Sequence, residues 1–213
     1  MLKEPASMVE PLTTAVSAFA QDGSPWRAPG AGLPGWRPVD DARVLVVRHR
    51  APSLAAANAA ATQGLGWPAA TGEVRGPQDP DPATAWGRDG PLIARLQPEE
   101  AVVIGPPGAI IDALLAALAP GPASEAIAID LTHGALVIAL EGPRLDEWLA
   151  HLVDAAALPR AAGRCCRCRF VDVPALLVRL AAERLWLVVD RALAPYVTDW
   201  LSFTHDAAFE AAA

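Results

Sequence analysis

The spacing of apolar residues along the chain marks out short strands separated by a few helices. The run Arg43-Val44-Leu45-Val46-Val47-Arg48 is rich in β-branched residues and bounded by charge, which predicts a strand. Residues 92–96 and 101–104 predict a strand pair around the turn Gln97-Pro98-Glu99-Glu100. Segment 109–118 is apolar at 110, 111, 114, 115 and 118, the spacing of a helix packed on one side, and Gly105-Pro106-Pro107-Gly108 leads into it. Further strands are predicted at 127–131 and 135–140, around the turn Thr132-His133-Gly134, and at 165–171, 175–180 and 185–190. Helices are predicted at 54–63, with Ser53 as N-cap, and at 191–203. Gly142-Pro143 opens another, with Leu145, Trp148, Leu149 and Leu152 on one face.

Strands interrupted by so few helices predict an α+β fold of mostly antiparallel sheet with helices on one face. Residues 99–118 parallel residues 183–203: a charged turn, an oily strand and a helix follow in the same order. Two pseudo-repeated ββα-type units are therefore expected. Residues 1–40 read as an extended Pro/Gly/Trp-rich N-terminal arm, in which Pro25-Trp26-Arg27-Ala28-Pro29-Gly30 and Leu33-Pro34-Gly35-Trp36-Arg37-Pro38 are near-copies. Such an arm either lies across its own domain or wraps another subunit, because exposed tryptophans are costly. Residues 41–205 form the α+β domain, including a long loop at 64–89 that holds Trp67 and Trp86, and 206–213 read as a frayed tail.

Composition narrows the function classes. Of 213 residues, 53% are hydrophobic and 19% charged, so some apolar surface is expected to be covered by a partner. A net charge of −7 argues against nucleic acid as a partner. No apolar stretch approaches the roughly 20 residues of a membrane span, and no export signal is visible, so the expected location is cytoplasmic. Lys3 is the only lysine, which reflects a general bias toward Arg and weakens any single Arg as a functional signal.

The candidate chemistry is sparse. Cys165 and Cys168 have C-x-x-C spacing, but zinc needs about four ligands, and alternation with Arg167 and Arg169 predicts a strand that points the two thiols opposite ways. They read as ordinary buried or half-buried thiols. Asp130, Thr132 and His133 resemble a catalytic cluster, yet a turn at Gly134 accounts for them through side-chain bonds to backbone. His49 and His205 read as surface residues. Glu99-Glu100 and Asp146-Glu147 read as solvated positions, because adjacent acids do not converge on one point. Residues 160–191 hold seven Arg against Asp172, Glu183 and Asp190, suited to an acidic partner, an anionic ligand or a solvated face. No residue is assigned to catalysis, to cofactor binding or to a metal.

Several elements together resemble the gamma subunit of heterotetrameric sarcosine oxidase over about residues 43–205. They are Leu96-Gln97-Pro98-Glu99-Glu100 through Gly108, Ile129-Asp130-Leu131-Thr132-His133-Gly134, and Glu141-Gly142-Pro143-Arg144. Cys165, Pro174 to Leu180, and Tyr196, Asp199, Trp200 and Leu201 continue the series. Ala101, Ala135 and Ala139 depart from the family pattern, as in a divergent member serving a different secondary amine. The resemblance implies an aminomethyltransferase-like fold and a non-catalytic structural subunit of a flavin-dependent secondary-amine oxidoreductase. Its implied partners are alpha-, beta- and delta-type subunits, which would carry FAD, FMN, NAD and zinc, with tetrahydrofolate as a substrate of the complex. The alternative is a stand-alone folate-binding or one-carbon transfer protein whose Arg-rich strands receive the folate glutamate.

Overall fold

The computed structural model describes residues 26–30, 32–39, 41–50, 54–77, 90–122 and 124–210. Ser53, Trp86, most of the arm and residues 211–213 lie outside that set. Among the described residues ten strands form two five-stranded sheets, and every strand pairing within them is antiparallel. The first sheet contains β2 (Arg43–His49), β3 (Val74–Arg75), β4 (Leu92–Gln97), β5 (Glu100–Gly105) and β6 (Ala126–Asp130), in the order β3-β4-β5-β2-β6. The second contains β1 (Gly35–Pro38), β7 (Ala135–Glu141), β8 (Arg164–Phe170), β9 (Val173–Ala181) and β10 (Arg184–Asp190), in the order β1-β7-β10-β9-β8. Strand β1 precedes β2 in the chain but joins β7, and β6 precedes β7 but joins β2. Each sheet thus borrows its fifth strand from the segment leading into the other.

Strand periodicity makes this a four-layer molecule. Val44, Val102 and Ile104 of the first sheet meet Val137, Leu176, Val178, Trp186 and Val188 of the second in an inter-sheet core. The alternate residues Leu45, Val47, Ala101 and Val103 point outward, where helices α1 (Leu54–Thr62) and α2 (Ala109–Ala117) cover them. On the far side Ile138, Leu140, Leu177, Leu185 and Leu187 are covered by α3 (Leu145–Leu149) and α4 (Ala194–His205). Each sheet therefore carries its helices on one face. Residues 72–74 stitch the sheets along one side: the Gly72 amide donates to Arg95 O, while the Cys165 amide donates to Gly72 O and the Val74 amide to Gly163 O.

The arm and the tail require correction. Residues 35–38 are not outside the domain but are β1, paired with β7, and Trp36 is 2% exposed within the outer core of the second sheet. Its ring packs 5.4 Å from that of Trp148. Pro and Gly permit this because β1 is an edge strand, where a missing donor is tolerated. The two near-copies fold on each other, with reciprocal backbone bonds between Arg27 and Trp36. Gly35 is required there, since a Cβ would lie 2.4 Å from Arg27 O. At the other end α4 continues into a π-helical turn, Asp206–Glu210, and Phe209 is buried beneath the Arg144 guanidinium, which lies 4.6 Å from its ring. The predicted frayed tail at 206–213 is thus packed as far as Phe209. The helix after Gly142-Pro143 begins only at Leu145, because Arg144 takes a left-handed conformation (φ 59°). Within the predicted loop at 64–89, Val74–Arg75 forms an edge strand.

Candidate functional site

Between the sheets lies a cavity of about 590 Å³, within the roughly 300–1,000 Å³ range of ligand pockets. Val44, Val46, Val102, Leu131, Leu176, Val188 and Leu193 line it, with Arg167 and Asp190 among its few charged residues. Arg167 belongs to a clasp. Glu100, its side chain 2% exposed, accepts a 2.7 Å bond from Arg167 of the opposite sheet on Oε1. A 2.6 Å ion pair with Arg48 engages Oε2. Arg48 stands directly across from Glu100 in the β2–β5 ladder. With both oxygens engaged by guanidinium groups, Glu100 ties Arg48 of its own sheet to Arg167 of the opposite one. Two cations on one carboxylate leave the trio with one net positive charge, part of it at the cavity wall. The sequence reading that placed Glu100 in a solvated turn is corrected: Glu100 opens β5, in phase with Val102 and Ile104 on the inter-sheet face.

The cysteines separate as strand geometry requires. Cys165 faces the inter-sheet core, and burial pushes its thiol up to about 12. Cys166 and Cys168 are set against the outer core, where the Cys166 thiol donates to Ala157 O at 2.6 Å; interaction between the two thiols lowers Cys166 and raises Cys168. The thiols that share a face are therefore i and i+2, not the C-x-x-C that catches the eye. Among the described residues no three His, Cys, Asp or Glu converge on a metal position.

Asp130 and Thr132 brace the turn Thr132-His133-Gly134, in which His133 is exposed. Asp130 Oδ1 accepts from the Thr132 amide at 2.9 Å, Oδ2 is 2.5 Å from Arg43, and the Thr132 hydroxyl oxygen accepts from the Val44 amide at 3.1 Å. Burial works against the Asp130 carboxylate, but Thr132 and Arg43 outweigh it and hold its pKa below the ordinary value. No imidazole takes part.

Five members of the Arg-rich segment meet carboxylates within the fold. Arg160 and Arg179 pair with Asp146, Arg167 with Glu100, Arg169 with Asp172 and Arg184 with Glu141. Arg191 bonds Thr132 O. Arg179 is fully buried and also donates to Pro159 O and Ala182 O at 2.8 Å. Asp146 is thus a counter-ion rather than a solvated helix position, while Glu147 makes an exposed pair with Arg144.

Two histidines read as surface residues are buried. His49 packs edge-on against Trp67, 5.4 Å between centroids. His205, 1% exposed, is surrounded by Trp36, Trp148 and Phe209. Its Nδ1 lies 2.5 Å from Arg27 Nη1 and its Nε2 3.1 Å from Pro34 O. A guanidinium only donates, so Nδ1 accepts and Nε2–H donates: this is a neutral imidazole of defined tautomer. Burial first, then the Arg27 charge, lowers its pKa. Arg27, Pro34, Trp36 and Trp148 are more than fifty positions away in sequence, which is why no local pattern reveals the cage.

No family model matches the chain, and no curated protein matches it in sequence. Among solved structures it is similar to a chain of heterotetrameric sarcosine oxidase from Corynebacterium sp. U-96 in complex with pyrrole 2-carboxylate. The identity is 26% and the TM-score 0.71, over 91% of this chain and 93% of that one. It is also similar to glycine cleavage system aminomethyltransferase T from Bartonella henselae, at 16% identity and TM-score 0.56, over 80% of this chain and 45% of that one. The second likeness is one of fold, in which this chain spans under half of the longer protein. The first runs nearly end to end in both chains and fits a divergent related subunit.

Proposed function

We propose that this divergent relative of a sarcosine oxidase subunit is itself a gamma-type, non-catalytic assembly subunit of a flavin-dependent secondary-amine oxidoreductase. The observation that carries the reading is the reciprocal, near-complete match to one chain of a heterotetramer. The internal chemistry supports it. Glu100 and Asp146 are occupied by arginines, Asp130 by a turn and Arg43, and His205 by a neutral aromatic cage. Polar groups spent on holding sheets and turns together suit a scaffold. FAD, FMN, NAD and zinc then belong to alpha-, beta- and delta-type partners, in a cytoplasmic complex for which tetrahydrofolate is a substrate.

Co-expression of the tagged chain with the polypeptides encoded beside it tests this. The expected result is a stable assembly that carries flavin absorbance, oxidises an N-methyl amino acid and is lost when this chain is omitted. An isolated chain that turns over such an amine, or retains stoichiometric flavin, overturns the reading. Saturable calorimetric binding of tetrahydrofolate by the isolated chain supports the one-carbon alternative instead. That alternative is weakened by the carboxylate partners already held by Arg160, Arg167, Arg169, Arg179 and Arg184.

A further inference from the structure

Helix α4 buries Ala194, Val197, Thr198, Leu201, Thr204 and His205 against the second sheet. Its opposite side holds Tyr196, Trp200 and Phe203. Spacings of four and three residues put these on one helical face. Tyr196 and Phe203 are 36% and 65% exposed, and Trp200 is half-buried. The rings form a ladder of edge-to-face contacts, with centroids 6.4 Å apart for Tyr196–Trp200 and 5.7 Å for Trp200–Phe203. Asp199 lies on the same face, three residues after Tyr196 and four before Phe203. Its side chain is exposed and has no hydrogen-bond or ion-pair partner among the described residues.

Adjacent aromatic rings left partly in water are costly for a single subunit, and Tyr, Trp and Phe are enriched at the centres of protein interfaces. Ring faces attract guanidinium groups, and an unpartnered carboxylate between them completes a receptor for one. A second copy of this chain is a poor occupant: a two-fold contact sets the stripe against itself and brings the Asp199 carboxylates together. Charge complementarity on a chain of net charge −7 points the same way. We infer that the outer face of α4 is the docking surface for a partner subunit, which seats an arginine flanked by apolar residues on the Tyr196–Trp200–Phe203 ladder beside Asp199. This rests on the assembly role proposed above.

The test uses the co-expressed complex and three variants of exposed positions: Tyr196→Ser combined with Phe203→Ser, Asp199→Arg, and Leu54→Ser. Leu54 is a 71% exposed control on α1. Circular dichroism and urea midpoints establish that each variant folds. The double variant is expected to lose association, and Asp199→Arg to weaken it by about tenfold or more, as for a central contact. Leu54→Ser is expected to leave it unchanged. Wild-type stoichiometry in both α4 variants overturns this inference alone, leaving the assembly role intact. A wild-type chain that binds no partner subunit overturns both. A wild-type homodimer that the α4 variants convert to monomer, with no partner retained, identifies a second copy as the occupant and also overturns the inference.

Discussion

The outer faces of the two sheets are covered in different ways. Over the first sheet lie α1 and α2, each close in sequence to a strand it covers, and the buried residues of α1 are Ala56 and Ala60. Small side chains let α1 approach the sheet closely. The outer core of the second sheet holds large rings, Trp36, Trp148, Phe170 and Phe209, gathered from β1, α3, β8 and the π-helical turn after α4. One layer is built from neighbours and the other from segments far apart in the chain. The second therefore closes only when distant segments meet, and its stability depends on a few large groups.

Truncating Trp36 to Ala should give the largest loss, about 3–5 kcal/mol in urea unfolding, because a fully buried ring leaves a cavity between Trp148 and His205. Trp67→Ala, at a half-buried ring over the first sheet, should cost about half as much; equal losses would erase the contrast. Replacing Arg179 with Met should cost about 2–4 kcal/mol, since it leaves the Pro159 and Ala182 carbonyls without their donor and Asp146 without its nearer cation. In the alanine layer the vulnerability has the opposite sign of volume. Ala60→Leu should destabilise by about 1–3 kcal/mol through overpacking, whereas the same change at the exposed Ala61 should be near neutral.

The smallest effect is a pH dependence confined to the aromatic side. His205 has a folded pKa lowered below 6.5, so between that folded value and 6.5 the unfolded chain binds a proton that the folded chain does not. Stability contributed by the neutral ring is present above about 6.5 and falls as pH drops toward the folded value. Urea midpoints measured from pH 7 to pH 5 should decline in the wild type and decline less in His205→Gln. An identical slope in the two would mean that the cage does not select the neutral imidazole.

Reading the sequence succeeded where spacing is local. Val44 to Val47 alternate between the two faces of β2, Leu145, Trp148 and Leu149 mark the buried side of α3, and the turn at Gly134 explains Asp130 and Thr132. Parity carried more than was drawn from it. Arg48 is in phase with Val44 and Val46, Glu100 with Val102 and Ile104, and Arg167 with Cys165, so three charges on inward positions signalled the clasp before any coordinates. The same counting puts Cys166 and Cys168, rather than Cys165 and Cys168, on a common face. His205 and the arm were not legible this way, because nothing near Trp36 or His205 in sequence indicates that the two meet each other and Trp148, each more than fifty residues from the next.

What the sequence determined by itself is most of the strands and helices, β1 and β3 excepted, and which side of each is apolar, because backbone geometry imposes periods of 2 and 3.6 on side chains a few residues apart. Only the tertiary structure decided which strand borders which, that Trp36 belongs to the core, and that Glu100 and Asp146 face arginines instead of water. Those outcomes depend on surfaces from remote segments competing to bury the same area, and burial is a property of the assembled layers that no local window contains.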